Sequence, residues 1–293
     1  LLKYMDDVVY PNEDIYNEQL NNSDERWSVP PVLEEMKVKA RELGLWNLFL
    51  PESDRGAGLT NYEYGHLCEL MGRTQFGPEA FNCSAPDTGN METLERYASE
   101  EVRDEWMTPL LEGKIRSAFA MTEPAVASSD ATNIESSIVR DGDEYVVNGG
   151  KIFITNAGKA GVLSFTSQVI ENGKNLGIAA FSISTNTPGL EIGPKEKKMG
   201  WHASDTRQLF FNDMRIQASS MLGTPTNGFK TFLKTLTSGR VSIGALSIGT
   251  ALGAYERALV YSTERIAFGK PINNFQSVGF KLADMATKIE ASK

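Results

Sequence analysis

Residues 119–130 read Phe119-Ala120-Met121-Thr122-Glu123-Pro124-Ala125-Val126-Ala127-Ser128-Ser129-Asp130, a run in which an apolar strand gives way to small and polar residues. Because Pro124 has no N–H to donate to a neighbouring strand, the strand that begins near Ile115 is predicted to end at Met121. The small residues that follow leave backbone N–H groups and hydroxyls accessible. A strand end of this kind can hold a flat heterocyclic ligand that carries negative charge.

The composition is that of an ordinary globular protein with one large domain or two to three small ones. Of the 293 residues, 41% are hydrophobic and 23% are charged, and the net charge is −9. This acidity argues against a protein that binds nucleic acid. No apolar run approaches the roughly 18 residues that a membrane helix needs, and no signal peptide opens the chain.

The two cysteines suit free thiols in a reducing compartment, with a single disulfide as the alternative. Together with His66, Cys68 and Cys83 do not have the spacing of a zinc site, so no metal is predicted. The chain begins at Leu1 inside a helical pattern and ends at Lys293 with an amphipathic helix under way. We therefore expect the natural protein to extend beyond both ends, since an unpaired apolar stripe is costly to expose.

Hydrophobic periodicity divides the chain into three predicted domains, 1–114, 115–217 and 218–293. The first and third have helical spacing, and the second has short, partly alternating apolar segments typical of strands. This order predicts an α+β fold with an antiparallel β-domain between two helical regions, without the βαβ alternation of a dinucleotide-binding sheet. Helices are predicted at 32–43, 61–71, 91–97, 101–111, 229–267 and from 275 onward. Strands are predicted at 115–121, 134–139, 144–148, 151–155, 162–167, 177–184 and 208–216, with turns at 141–143 and 148–150.

Several segments resemble, in the right order along almost the whole chain, the motifs of acyl-CoA dehydrogenases. They are 48–52 with the glycine loop 54–58, Thr122-Glu123-Pro124, Asn148-Gly149 with 151–156, 198–206, Gly239-Arg240 and 265–270. Any one of these motifs alone is a weak signal, but the ordered set is highly specific. The resemblance implies an N-terminal helical domain, a central β-domain and a C-terminal four-helix bundle, with FAD bound between the last two and a homotetrameric or dimeric assembly.

The resemblance also assigns residues to a cofactor site and a substrate channel. It implies contacts with FAD for Phe119, Met121, Thr122, Ala127, Ser128, Phe153, Ile154, Thr155, Arg265, Phe268 and Gln276. The last three would reach the FAD of a neighbouring subunit, and Phe153 would stack near the ring where the family often has Trp. It implies an acyl-CoA channel lined by Ser129 and by a turn formed by Thr237, Ser238, Gly239 and Arg240.

The residue types suit that chemistry. Reduction places negative charge on the N1–C2=O and N5 edges of a flavin, so hydrogen-bond donors on a rigid strand end stabilise the reduced ring. Thr122 and Thr155 can supply such donors. The planar fork of Arg265 suits a pyrophosphate because it can bind two oxygens at once.

The sequence departs from the common family pattern because different segments resemble different branches of the family. Its Thr-Glu-Pro motif is one residue longer than the usual form and, with 81–90 and 129–133, resembles the branch that takes long-chain acyl-CoAs. From Lys151 onward the chain resembles the short-chain, butyryl-CoA type. Such a mosaic fits a divergent member, a chimera or a reconstructed sequence, and it leaves the acyl chain length open.

A second departure concerns the base. The family reaction needs a carboxylate that removes the α-proton of the thioester, usually from a Glu late in the bundle, beyond Lys293 here. Some members carry it beside the Arg of the long helix, where this chain has Gly239. No catalytic residue is therefore assigned, and the chain as given is expected to bind FAD weakly and not to turn over.

Other charged and polar residues each have a plainer interpretation. Glu123 can be a base, but we favour a structural, ion-paired carboxylate. Asp205 and Thr206 form either a simple turn or a loop near CoA, and residues 195–198 either a solvated charge run or a phosphate contact. Buried in an apolar helix, Arg240 would need an anionic or carbonyl partner, whereas Arg265 can be a helix-end cation. His202 is either a substrate contact or a loop residue, and His66 a surface or packing residue.

The predicted function is FAD-dependent α,β-dehydrogenation of an acyl-CoA to a trans-2-enoyl-CoA, as in fatty acid β-oxidation. The resemblance implies electron-transfer flavoprotein as the electron acceptor, no nucleic-acid partner, and the mitochondrial matrix or bacterial cytoplasm as the location. One alternative is a non-catalytic subunit that binds acyl-CoA or flavin. Another is a flavin-dependent oxidase or monooxygenase of the same fold.

Overall fold

The computed structural model describes residues 1–23, 29–51, 53–128, 130–201 and 204–293. These residues form two compact units. The first contains residues 1–19, 30–83 and 238–293, and the second contains residues 20–29 and 84–237. Within the described ranges, no helix is long and apolar enough to cross a membrane, and no cluster of side chains is placed to hold a metal ion.

The first unit is helical. Its α-helices are α1 (Leu2–Tyr4), α2 (Glu13–Asn22, which ends in the other unit), α3 (Pro31–Glu42), α4 (Asn61–Met71), α5 (Gly77–Ala80), most of α8 (Gly228–Glu264) and α9 (Gln276–Ser292). A π-helical turn (Met5–Val9) and a 3-10 turn (Tyr10–Asn12) join α1 to α2, and a second 3-10 turn (Ile272–Asn274) precedes α9. Strands β9 (Ile266–Ala267) and β10 (Lys270–Pro271) form a small antiparallel hairpin after α8.

The second unit is built on one sheet. It contains α6 (Asp87–Tyr97), α7 (Glu100–Leu111), the first residues of α8, and strands β1 (Arg116–Ala120), β2 (Ser137–Asp141), β3 (Glu144–Thr155), β4 (Ala160–Glu171), β5 (Lys174–Ser184), β6 (Leu190–Lys195), β7 (Thr206–Gln217) and β8 (Met221–Leu222). The 3-10 turns Ala131–Asn133 and Ala218–Ser220 lie beside β2 and β8. The sheet order is β6-β7-β3-β2-β4-β5-β8, and β1 pairs with β4.

The α+β fold class predicted from the sequence is confirmed. Among the described strands, the pairs β1–β4 and β2–β4 are parallel, and the other pairs are antiparallel. The alternation of apolar residues buries one cluster against the sheet, in which Phe165 lies 5.5 Å from Phe181 and 5.1 Å from Phe211 between ring centroids. Aromatic contacts at this spacing anchor the core.

Two local predictions are wrong. Residues 148–150 do not form a turn, because β3 continues through them with a register shift between Val147 and Gly149. Gly149 has φ of +137°, and an added Cβ would lie 2.6 Å from the Cβ of Ser136, so only glycine fits this position. Helix α8 ends at Glu264 rather than at residue 267, since the β9–β10 hairpin follows. Some apolar residues of α8 are exposed in this chain, such as Val241 at 51% and Val260 at 57%.

The N-terminus of α4 is closed by a capping box, which explains why the helix begins where the sequence predicts. The Thr60 hydroxyl accepts from the N–H of Glu63 at 3.2 Å, and the Glu63 carboxylate accepts from the N–H of Thr60 at 2.8 Å. Thr60→Ala is expected to lower the free energy of unfolding by about 1 kcal/mol, measured by urea denaturation. Thr60→Ser retains the hydroxyl and is expected to stay close to wild type; equal losses in both variants would contradict the role of the cap.

Candidate functional site

The end of β1 and the bulge in β3 lie side by side in the second unit. The N–H of Ile152 donates to the carbonyl of Thr122 at 2.9 Å, which joins the Thr-Glu-Pro segment to β3. The next residue, Phe153, has φ of +62° and lies in a register shift between Lys151 and Ile154. A bulge re-aims a side chain out of the sheet, and the Phe153 ring is 64% exposed.

The loop after β1, which the hydrogen bond between Ile152 and Thr122 joins to β3, offers hydroxyl groups. The hydroxyls of Thr122 and Ser128 lie 3.3 Å apart and share one hydrogen bond. Since each hydroxyl has one hydrogen, only one of the two is used between them, and the other O–H can donate to a ligand. A small pocket opens here. It is lined by Met121, Thr122, Glu123, Val126, Ala127, Ser128, Ala131 and Ile134.

A buried ion pair lies beneath these two segments. The ammonium group of Lys151 is 2.6 Å from the Glu123 carboxylate and 3.2 Å from the carbonyl of Met121. The same carboxylate accepts from the N–H of Glu135 at 2.5 Å and from the N–H of Ser136 at 3.2 Å. The interpretation of Glu123 as a structural, ion-paired group is therefore confirmed, and Lys151 is a site residue to which the sequence had given no role.

The pair is charged at neutral pH. Burial lowers the pKa of Lys151 to about 8, against the opposing effect of Glu123. Burial also disfavours the charged form of Glu123, but Lys151 and the hydrogen bonds from Ser136 and Glu135 outweigh it and hold the pKa of Glu123 below its ordinary value. Lys151 directly precedes the apolar residues Ile152, Phe153 and Ile154, but nothing in the sequence identifies Glu123, 28 residues earlier, as its partner.

The remaining predicted cofactor contacts of the β-domain differ in the exposure of their side chains. Phe119 is half-buried and packs on Phe232, with 4.6 Å between ring centroids. Ile154 is only 2% exposed, so its side chain belongs to the core and only its backbone is available to a ligand. Thr155 is half-buried at the end of β3. Ser129, predicted in the substrate channel, lies outside the described residues, as does His202.

The predicted candidates of the first unit are exposed around its hairpin. Arg265 joins α8 to β9, and its carbonyl accepts from the N–H of Ile272 at 2.9 Å. Phe268 has φ of +51° at the hairpin tip and is 96% exposed, 6.1 Å from the ring of Phe275. Gln276 is the first residue of α9 and is exposed. The structure thus groups Arg265, Phe268 and Gln276 in one segment of the chain.

Residues 237–240, which were predicted to line the substrate channel, lie inside α8 as one turn of the helix. The Thr237 hydroxyl donates to the carbonyl of Leu233 at 2.8 Å, and the carbonyl of Ser238 accepts from the Asn61 side chain at 3.2 Å. Arg240 is exposed rather than buried. An added Cβ at Gly239 would meet nothing within 4 Å, so the structure leaves room for a side chain there.

Other polar candidates have structural contacts. Asp205 is buried, accepts from the N–H of Gly158 at 2.6 Å and pairs with Arg207 at 2.9 Å. Lys198 donates to the Thr206 hydroxyl at 2.9 Å and to the carbonyl of Ser204 at 2.7 Å, so it belongs to the same loop network. His66 is exposed on α4 against the ring of Tyr62.

Both cysteines are free and buried in the structure. Burial raises the pKa of Cys68 to about 12 and that of Cys83 to about 11. Because the thiolate is the reactive form, both thiols are inert near neutral pH.

Models of one family match the chain in three consecutive parts. The N-terminal, middle and C-terminal domains of acyl-CoA dehydrogenase match residues 12–114, 118–214 and 226–293. The chain is 38% identical over 307 residues to acyl-CoA dehydrogenase family member 11 of Gallus gallus, covering 99% of this chain and 38% of that protein. This chain thus spans well under half the length of that relative.

Solved structures show the same likeness. An acyl-CoA dehydrogenase structure from Mycobacterium abscessus is 39% identical, with a TM-score of 0.92 over 99% of this chain and 74% of the other. A glutaryl-CoA dehydrogenase from Mycobacterium smegmatis, solved in complex with FADH2, is 26% identical, with a TM-score of 0.81 over 99% of this chain and 70% of the other. From its ordered motifs, its fold and these matches, the chain belongs to the acyl-CoA dehydrogenase family.

Proposed function

We propose that the protein is a flavin-dependent oxidoreductase that binds FAD and dehydrogenates an acyl-CoA thioester between its α and β carbons. The observation that carries the proposal is that the exposed hydroxyl pair of Thr122 and Ser128 and the exposed ring of Phe153 belong to two segments joined by a backbone hydrogen bond. A flat aromatic ring and an O–H donor on two joined segments suit the face and the polar edge of an isoalloxazine. The residues present therefore fit the cofactor.

The roles of this chain's own residues follow from the geometry. Phe153 would contact the flat face of the cofactor, and the Thr122–Ser128 pair would donate a hydrogen bond to its polar edge. When bound, FAD accepts the hydride equivalent that the substrate loses at its β carbon. Donors aimed at an edge that gains negative charge stabilise the reduced state. Met121 and Ala127 line the pocket beside that edge.

The exposed group Arg265, Phe268 and Gln276 is proposed to contact FAD bound by a second copy of this chain. The positive charge and planar fork of Arg265 suit a pyrophosphate, and the exposure of all three residues supports contact outside their own chain. A homo-oligomer, electron-transfer flavoprotein as electron acceptor and a role in β-oxidation belong to the same proposal.

The position of the base separates this proposal from its main alternative. Gly239 precedes Arg240, so the chain carries no carboxylate at that place. We propose that the base of the whole protein comes from residues outside 1–293. The alternative, a subunit that binds flavin or acyl-CoA without turnover, is favoured by the same glycine.

An absorbance experiment separates the two. The protein purified from the cells that make it is expected to show flavin bands that bleach when an acyl-CoA of suitable length is added without oxygen. Residues 1–293 alone are expected to bind added FAD without bleaching. Flavin bands in the purified protein that resist every acyl-CoA would favour the binding subunit, and the absence of flavin binding would refute the cofactor assignment.

Thr122→Val tests the hydroxyl pair, because valine retains the shape and removes the donor. Loss of one such hydrogen bond is expected to weaken FAD binding about three- to tenfold in a fluorescence titration. Thr108→Val is the matched control, since Thr108 is exposed on α7 and is not among the residues that line the pocket. Unchanged affinity in Thr122→Val would remove Thr122 from the site.

A further inference from the structure

We propose that Lys151 is a positioning residue of the cofactor site, whose contact with Glu123 sets the distance between the Thr122 hydroxyl and the Phe153 ring. This inference rests on the proposed function, since it assumes that these two groups contact a flavin. It adds a role for two residues that would not themselves touch the cofactor.

The geometry makes Lys151 the link between the two segments. Its ammonium group contacts the carbonyl of Met121 and the carboxylate of Glu123, the residues on either side of Thr122. Its own backbone lies two residues before Phe153, at the edge of the register shift. The side chain of Lys151 is fully buried and that of Glu123 is 4% exposed, so no solvent can replace either partner.

The carboxylate extends the link to a third segment. Glu123 also accepts from the backbone N–H groups of Glu135 and Ser136, just before β2. One ammonium and one carboxylate thus fix the loop after β1, the bulge of β3 and the start of β2 together. A binding site holds its groups within about 0.5 Å only when buried contacts lock them in place.

The charged surroundings of Lys151 are simple. Glu123 is the titratable group that faces it from the β1 loop, and Glu135 contributes only its backbone. On β7, Lys151 is paired with the apolar Leu209, and Arg207 further along that strand is paired with Asp205. Loss of the proton from Lys151 therefore removes the only cationic partner of Glu123 among these groups.

A pH dependence follows from the lowered pKa of Lys151. Through pH 8 the folded protein loses the ammonium charge, so FAD affinity is expected to fall about tenfold between pH 7 and pH 9.5. The effect of Lys151 on the free energy of unfolding has the opposite sign in this pH range. The unfolded chain retains this proton up to its ordinary pKa of 10.5, so the unfolded state binds more protons in this window and Lys151 makes the fold more stable as pH rises. If FAD affinity fell only because the whole fold became less stable, the free energy of unfolding would fall over the same pH range instead of rising.

Two variants and one control test the proposal in FAD titrations from pH 6 to pH 9.5, each first shown to be folded by circular dichroism. Lys151→Met is expected to weaken FAD binding at pH 7 about tenfold or more. Lys151→Met combined with Glu123→Gln leaves no unpaired buried charge, so it tests the link even where the single variant folds poorly. We expect it to bind FAD weakly with no fall through pH 8. Arg215→Met breaks an exposed pair with Glu144 and is expected to match wild type.

The outcomes are distinct. Wild-type affinity in Lys151→Met or in the double variant would overturn the positioning role, as would an equal fall through pH 8 in the double variant and in wild type. If wild type binds FAD and either of these results is found, the proposed function stands and only this inference fails. A wild-type chain that binds no FAD at all would overturn the proposed function itself.

Discussion

Asp87→Ala is expected to lower the free energy of unfolding of the second unit by about 3–5 kcal/mol, because it leaves a charge without its buried partner. Asp87 is 2% exposed at the start of α6. Its carboxylate accepts from Arg116 at 2.6 Å, from the N–H of Ser117 at 2.6 Å and from the Ser117 hydroxyl at 2.7 Å. Removing the carboxylate takes this acceptor from three donors, which are the guanidinium of Arg116 and the N–H and hydroxyl of Ser117.

These contacts fix the first residues of β1, the strand that leads to the proposed cofactor loop. Hydrogen exchange should therefore show faster exchange in residues 116–120, and urea denaturation should give the global loss. Asp141→Ala is the matched control, since its pair with Arg215 is 59% and 55% exposed and such pairs contribute about 0–1 kcal/mol. Similar losses in the two variants would show that burial of Asp87 does not determine its contribution.

Gly249→Ala is expected to destabilise the helical unit by about 3 kcal/mol, because α8 approaches the end of α4 at this residue without room for a side chain. A Cβ on Gly249 would overlap the carbonyl oxygen of Glu69 and lie 3.1 Å from the Cα of Gly72. The neighbouring Thr250 hydroxyl donates to the carbonyl of Gly72 at 2.9 Å, so the backbones cannot separate without losing that bond.

Gly244 provides the control in the same helix. An added Cβ there would meet nothing within 4 Å, so Gly244→Ala is expected to stabilise the helix by about 0.5–1 kcal/mol through helix propensity alone. Thermal unfolding of both variants measures the contrast. If alanine stabilised both positions, the close approach of α8 to α4 would be refuted.

Local pattern determined much of the fold. The bounds of α4 follow from its apolar spacing and its capping box, and the hairpin between β2 and β3 follows from Gly142, which has φ of +64°. These signals are local, since each depends on neighbouring residues. The prediction failed at residues 148–150, because a glycine pair is typical of a turn and only the pairing of β3 with β7 shows that the strand continues.

Some features of the candidate site could likewise be predicted from the sequence, and others could not. Its residue types and their order, from Thr122 through Phe153 to Arg265, could be recognised in the sequence as a family resemblance. The pairing of Lys151 with Glu123 could not, because a contact across 28 residues depends on how β1 and β3 are placed in the sheet.

The sequence by itself determined the class of fold, the family and the segments of the candidate site, since periodicity, turn residues and motifs act over short distances. Only the tertiary structure decided which polar groups are buried and paired. In the structure, Glu123 pairs with Lys151 and Asp205 pairs with Arg207. Arg240 is exposed, and the Phe153 ring lies outside the sheet. The physical reason is that burial raises the cost of an unpaired charge, and burial is a property of the packed chain.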